Sequence, residues 1–243
     1  MKNISYIFAV LFLAVAVFLT PFSMSYAQDV LAPVAGEIAS KSESLDTLEA
    51  ASLDTSSWTN VIYFTGIGCP HCANTDPVIL KDRVRRGGVM VFEYEIYRDN
   101  ANAPLLMDYR KAYDAKLAVP QIIVGAGKDD VKTIAGDRPV LESFDTLVAL
   151  NKGNDIVLPN ERIAFDDLSF VKLPYKPKIW FKNRLAVRED SSSLQDEAIT
   201  SFLVNGIVPE ECAPEEKSDA PLSGGKVTFN TACRFDGWIL MHD

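Results

Sequence analysis

The chain has 243 residues, of which 48% are hydrophobic and 10% aromatic, and its formal net charge is −9 at pH 7. This length and apolar content allow one or two domains with a substantial buried core. The acidic balance argues against nucleic acid and anionic membranes as partners.

The first 27 residues have the pattern of a signal peptide. Lys2 is their one charge, an apolar run extends over 4–19, Pro21 breaks it, and Ser25-Tyr26-Ala27 offers a small-x-small cleavage site. The alternative is an uncleaved N-terminal anchor, for which the run is slightly short. Either way we expect an extracytoplasmic protein: periplasmic, secreted or on the cell surface.

Residues 28–57 are rich in Ala, Ser, Glu and Asp and predict a linker, with a short helix around 43–51. From 58 to 152, β-branched and aromatic runs alternate with helical periodicity. The predicted order is β-α-β-α-β-β-α: strand 61–65, helix 70–84, strand 89–97, helix 100–115, strands 121–124 and 131–134, and helix 140–150. We therefore predict an α/β domain, with a mixed central sheet and helices on both faces.

Residues 153–243 predict a β-rich C-terminal region, either a second domain or an elaboration packed on the first. Strand-like runs cover 163–168, 178–187, 226–229 and 237–241, and a helix is expected at 194–203. At strand spacing, Trp180, Phe181 and Trp238 are predicted to be core residues.

All four cysteines lie in the exported part, and their even number suits an oxidising compartment. Cys69 and Cys72 form a Cys-x-x-Cys pair between a predicted strand and a predicted helix. Unpaired N–H groups and the helix dipole favour a reactive thiolate at such a helix start. Pro70 suits the first helical position, and a protonated His71 would add positive charge beside the sulfur.

Cys212 and Cys233 flank an acidic loop that contains Pro and Gly. We expect a structural disulfide, which would contribute about 3–4 kcal/mol in the chain-entropy model. The alternative is a second redox relay pair.

Residues 58–152 resemble the thioredoxin superfamily, close to its glutaredoxin-like and Dsb-type branches. The Cys69-Pro70-His71-Cys72 tetrad is similar to the Dsb-type active site. Pro77 lies where the family kinks its active-site helix, and the segment 118–124 resembles the family's cis-proline loop and following strand. Residues 135–137 resemble the glutaredoxin Gly-Gly-x-Asp region, with Ala135 in place of the first glycine.

This resemblance implies a thioredoxin-like fold and a role for each matched residue. Cys69 would be the nucleophile and Cys72 the resolving cysteine, while Pro70 and His71 would tune the redox pair. Val119 and Pro120, joined by a cis bond, would bind an extended substrate segment. A carboxylate near the buried thiol is also expected, with Asp76, Glu93 and Glu95 as candidates.

The leading hypothesis is a thiol-disulfide oxidoreductase that forms, reduces or isomerises disulfides in protein substrates, with or without a membrane redox partner. It needs no cofactor beyond the Cys69–Cys72 disulfide, no metal and no nucleic acid. One alternative is a non-catalytic thioredoxin-like binding module whose function lies in the C-terminal region. Another is a metal carrier that uses both cysteines and His71.

Overall fold

A nine-stranded mixed sheet organises the chain. The structure is a computed structural model and describes residues 54–243, except residues 128, 190–194 and 216. The predicted signal peptide and most of the predicted linker lie outside the described residues. Within these ranges, no helix combines the length and apolar character needed to cross a membrane.

The first half of the described chain contains four strands and three helices. Their bounds are β1 Thr59–Thr65, α1 Pro70–Asp76, β2 Val89–Glu95, α2 Ala103–Tyr113, β3 Gln121–Ala126, β4 Asp130–Ala135 and α3 Asp137–Leu150. A π-helical segment, Pro77–Arg83, continues α1. Strand β1 pairs in parallel with β2 and antiparallel with β3, which pairs antiparallel with β4.

The second half adds nine strands and a helix. They are β5 Ile156–Val157, β6 Arg162–Ile163, β7 Lys178–Phe181, β8 Arg184–Arg188, α4 Asp196–Asn205, β9 Ala213–Glu215, β10 Ser218–Leu222, β11 Gly225–Phe229, β12 Thr231–Phe235 and β13 Trp238–His242. The large sheet has the order β4-β3-β1-β2-β7-β8-β13-β12-β9. Because β7 pairs with β2, the C-terminal strands extend the sheet begun by the first half.

Two hydrophobic clusters lie on opposite faces of the sheet, because alternate residues of a strand point to opposite sides. Ile62 and Phe64 of β1 belong to the cluster that packs α2 and α4. Val61 and Tyr63 belong to the cluster that packs the π-helical segment, α3 and the β10–β11 hairpin. Helices therefore cover both faces, as the sequence predicts.

Pro77 ends α1, and the hydrogen bonding changes there from α to π. Proline has no N–H to donate to the preceding turn, which explains why the change falls at this residue.

Strand β2 ends at Glu95, two residues before its predicted end, because the Glu95 carboxylate accepts the N–H groups of Tyr97, Arg98 and Asp99 and turns the chain.

The predicted strand 163–168 is wrong. Of this run, Ile163 alone belongs to a strand, β6 Arg162–Ile163, and a 3-10 turn, Phe165–Asp167, follows. Aspartates such as Asp166 and Asp167 favour turns over strands. The predicted strand 178–187 is instead the β7–β8 hairpin, with Lys182 at φ 55° in its turn. Trp180, Phe181 and Trp238 are core residues, each at most 2% exposed, as predicted.

Candidate functional site

The Cys69-Pro70-His71-Cys72 tetrad lies between β1 and α1. Cys69 is the N-cap residue of α1, in extended conformation, and its Sγ accepts the N–H of Cys72 at 3.4 Å. Pro70 occupies the first helical turn. The positive end of the helix therefore faces the Cys69 sulfur. Both thiols are free in this structure.

The two cysteines differ in their surroundings. Cys69 is 5% exposed and Cys72 is completely buried. Burial is the main cause that raises the pKa of the Cys72 thiol to about 12, although a hydrogen bond with the Thr65 side chain opposes it. Cys72 therefore holds its proton at neutral pH, and Cys69 is the better placed of the two to act as the nucleophile.

A loop distant in sequence faces the first cysteine. The Val119–Pro120 peptide bond is cis, as the resemblance implies. The Cys69 Sγ lies 3.9 Å from the carbonyl oxygen of Val119, to which the thiol can donate a weak hydrogen bond. Pro120 is buried, whereas Val119 is partly exposed. The fold thus brings the predicted substrate loop against the predicted nucleophile.

His71 is directed toward the start of α3. Its ring Nδ1 lies 3.2 Å from Oδ2 of Asp137, and the Asn74 amide donates to the same oxygen at 2.8 Å. The hydrogen bonds from Asn74 and His71 lower the pKa of Asp137 to about 2. A carboxylate thus faces the imidazole that was expected to tune the redox pair. The tuning role of His71 and Pro70 remains a prediction.

Among the three candidate carboxylates, Asp76 is the one linked to the buried thiol. It is completely buried, and its Oδ1 accepts the hydroxyls of Tyr63 at 2.6 Å and Thr65 at 2.7 Å. Burial is the main cause that raises the pKa of Asp76 to about 6. Since the Thr65 side chain also interacts with Cys72, it bridges the carboxylate and the thiol.

The other two carboxylates have structural partners. Glu93 accepts hydrogen bonds from Lys178 at 2.9 Å and from the indole of Trp180 at 2.6 Å. Glu95 accepts four backbone N–H groups, those of Ile67, Tyr97, Arg98 and Asp99. Burial alone would raise the pKa of Glu95, but these donors outweigh it and the pKa is lowered. Glu95 therefore orders the loop that leads to Cys69.

Ser223, in the turn between β10 and β11, was not predicted as a site residue. Its N–H donates to Oδ2 of Asp76 at 2.9 Å, and its hydroxyl donates to the carbonyl oxygen of Cys69 at 2.8 Å. The same hydroxyl accepts the N–H of Gly68 at 3.3 Å. An isolated Ser-Gly-Gly turn 154 residues from Cys69 carries no sequence signal for this contact; only the packing of the hairpin creates it.

An apolar groove of about 720 Å³ has Val119, whose carbonyl oxygen faces Cys69, in its lining. Its apolar lining includes Ile96, Tyr97, Pro104, Met107, Leu117 and Val119. Tyr97 is 57% exposed, and its ring covers Gly66, where an added Cβ would lie 2.7–2.9 Å from ring atoms. Partial desolvation and the nearby Cys69 and Cys72 sulfurs raise the pKa of Tyr97.

Cys212 and Cys233 form the expected disulfide, with Cα atoms 5.5 Å apart. The hairpin β10–β11 lies inside the loop that this disulfide closes. Across the described ranges, no group of three or more His, Cys, Asp or Glu side chains could hold a metal ion.

The chain matches no protein-family model, and no curated protein or solved structure is significantly similar to it. Function is therefore inferred from the geometry of the described residues.

Proposed function

We propose that this protein is an exported thiol-disulfide oxidoreductase with a thioredoxin-like domain, acting on protein substrates through Cys69 and Cys72. One observation carries the proposal: a free thiol caps a helix 3.9 Å from the carbonyl of a cis-proline loop, with a second, buried thiol one turn further on. Disulfide exchange requires a reactive thiol and a second thiol that can reach it.

In the reducing direction, the Cys69 thiolate attacks one sulfur of a substrate disulfide. A mixed disulfide forms, and the first substrate thiolate leaves. Cys72 then loses its proton and attacks the Cys69 sulfur, which forms the Cys69–Cys72 disulfide and releases the second substrate thiolate. The substrate gains two electrons and the cysteine pair loses two; oxidation of a substrate dithiol is the reverse.

The second step needs a proton acceptor because the pKa of Cys72 is raised to about 12. Asp76 is ionised above its pKa of about 6 and is reached through the Thr65 hydroxyl. We assign it the role of accepting the Cys72 proton by way of Thr65. A general base with a pKa near the working pH is effective in this task.

The groove and the cis-proline loop support a peptide as substrate. Val119 presents backbone beside the nucleophile, where an extended segment can add as a strand. The neighbouring groove, with Met107 and Leu117 each more than 40% exposed, offers apolar surface to the side chains of that segment. A small polar disulfide would leave this surface unused.

The topology of 59–150 also supports a thioredoxin-like domain. Its strands lie in the order β4-β3-β1-β2, with β1 and β2 parallel and the other neighbours antiparallel. Export is proposed from the N-terminal sequence pattern, and the Cys212–Cys233 disulfide suits an oxidising compartment.

The low exposure of Cys69, 5%, favours a second candidate function, a thioredoxin-like binding module without catalysis. A trapping experiment separates the two. Cys72→Ser removes the resolving thiol, so Cys69 should accumulate as a mixed disulfide with a peptide disulfide probe. Cys69→Ser, the matched control, should give less than a tenth of that adduct. Equal adduct in both variants, or none in either, would refute the proposed catalysis.

A further inference from the structure

We infer that Ser223, at the tip of the C-terminal β10–β11 hairpin, is a positioning residue for the Cys69–Cys72 pair and favours its reduced form. The inference rests on the proposed function and extends it, because it gives the C-terminal region a part in setting the redox equilibrium.

The first observation is the set of hydrogen bonds that Ser223 makes. Its hydroxyl donates to the carbonyl of Cys69 and accepts the N–H of Gly68, so it holds the backbone on both sides of the Gly68–Cys69 peptide bond. Its N–H donates to Asp76, the carboxylate at the far end of α1. Ser223 is 1% exposed. A buried serine with these partners ties both ends of α1 to one point.

The second observation is the close packing of the next residue. Gly224 has φ +82°, and a Cβ there would lie 2.9 Å from the carbonyl oxygen and 3.0 Å from the Cα of Ala73. Backbone atoms of α1 cannot move aside as a flexible side chain can. The hairpin tip therefore sits against the first turn of the active-site helix with no room for a side chain.

The third observation is that the hairpin is held firmly. Ala220, Leu222, Val227 and Phe229 are each at most 5% exposed and belong to the cluster that also contains the π-helical segment after α1. The Cys212–Cys233 disulfide closes the loop that contains the hairpin. The tip is thus a fixed support.

These contacts are formed with both thiols free. Disulfide formation must draw the two sulfurs to about 2 Å, from a geometry in which Cys69 Sγ accepts the N–H of Cys72. The hairpin tip fits the geometry of the two free thiols and therefore opposes the movement that brings the sulfurs together. Removing the Ser223 hydroxyl should therefore shift the equilibrium toward the disulfide.

The test is the equilibrium of the Cys69–Cys72 pair with glutathione in wild type and Ser223→Ala, followed by mass spectrometry of the peptide that carries both cysteines. Ser223→Ala should favour the disulfide at least threefold; a tenfold change would correspond to about 30 mV. The matched control is Ser218→Ala, at the start of strand β10, which leads into the turn that holds Ser223; Ser218 is paired with Phe229. An equilibrium constant within twofold of wild type would overturn the inference.

A second measurement does not depend on disulfide exchange. Gly224→Ala should push the tip off α1 and speed alkylation of the buried Cys72 in the reduced protein at least fivefold. Its control is Gly127→Ala, another hairpin glycine with positive φ (+69°) whose added Cβ meets nothing within 4 Å. Equal alkylation rates in the two variants would overturn the inference. If the pair never exchanges with glutathione, the proposed function fails and the alkylation rates decide this inference.

Discussion

Asp76 is a completely buried carboxylate whose surroundings disfavour its charge. A carboxylate with no exposed surface is stable as an ion only through its three donors, from Tyr63, Thr65 and Ser223. Burial still dominates, and the nearby Glu93 also disfavours the charge, so the pKa is raised to about 6. Such a cost is typical of functional sites, where a perturbed group serves the chemistry.

The raised pKa predicts how stability depends on pH. Below the usual pKa of 3.8, Asp76 is protonated in both folded and unfolded protein; between 3.8 and about 6 the unfolded chain alone releases the proton. The free energy of unfolding should therefore fall by about 2 kcal/mol from pH 4 to pH 7 in wild type relative to Asp76→Asn.

Urea unfolding at several pH values, with the cysteine pair in one redox state, measures this difference. Asp82→Asn is the control, since Asp82 is exposed on the helical segment that follows. An asparagine amide cannot accept all three donors, so Asp76→Asn also changes stability by an amount that does not depend on pH. Only the change of stability with pH is therefore compared. Parallel pH profiles for wild type and Asp76→Asn would contradict the assigned pKa.

At the scale of elements, the segment that leads into α1 depends on Glu95. Its carboxylate gathers the N–H groups of a turn after β2 and of Ile67, just before the tetrad. The end of one parallel strand thus orders the loop that follows its neighbour. Adjacent strand ends in a parallel pair meet at one edge of a sheet, which makes this contact possible.

Glu95→Gln should destabilise the fold by about 2–3 kcal/mol at pH 7, because the new amide group turns its own donors toward buried N–H groups. The pKa of Glu95 is lowered, so its stabilising effect is present above the usual value of 4.5 and is lost as the pH falls through the lowered value. Urea unfolding at pH 7 and at lower pH measures both effects. Glu142→Gln, an exposed residue paired with Arg138, should change stability by less than about 0.5 kcal/mol. Equal effects of the two variants would be contrary to the role of Glu95.

The sequence predicts the first seven strands and helices in order because their signals are local. Runs such as Val61–Thr65 are fully buried, and Pro70 marks a helix start. It does not predict β5, β9, β10 or β12. Strand β10 reads Ser-Asp-Ala-Pro-Leu, a poor strand former, and Pro221 is tolerated because the strand has one partner, β11.

The residues of the candidate site likewise include some that the sequence predicts and some that it does not. Cys69 and Cys72 are predicted from their motif and the Val119-Pro120 loop from the family resemblance, and the structure brings them together. Asp76 could be named as one of three candidates but not chosen, since the choice depends on which side chain reaches Thr65. Ser223 could not be found at all, because its contacts depend on how the hairpin packs over the sheet.

At the scale of the whole molecule, one sheet joins the two halves of the described chain through the β2–β7 pairing. The Cys212–Cys233 disulfide closes a loop within the second half, and it contributes about 3 kcal/mol in the chain-entropy model. The two cysteine pairs thus lie in different structural settings. One pair closes a loop of the C-terminal region, and the other pair lies at a helix start beside a groove.

The reduction potential of the Cys69–Cys72 pair decides whether this pair can exchange disulfides. Equilibration with glutathione or dithiothreitol buffers, read by mass spectrometry of the peptide that carries both residues, keeps this pair distinct from Cys212–Cys233. We expect a value between about −270 and −120 mV, the range of exchange enzymes. A value below about −300 mV, typical of structural disulfides, or no disulfide between Cys69 and Cys72 under oxidising conditions, would contradict it.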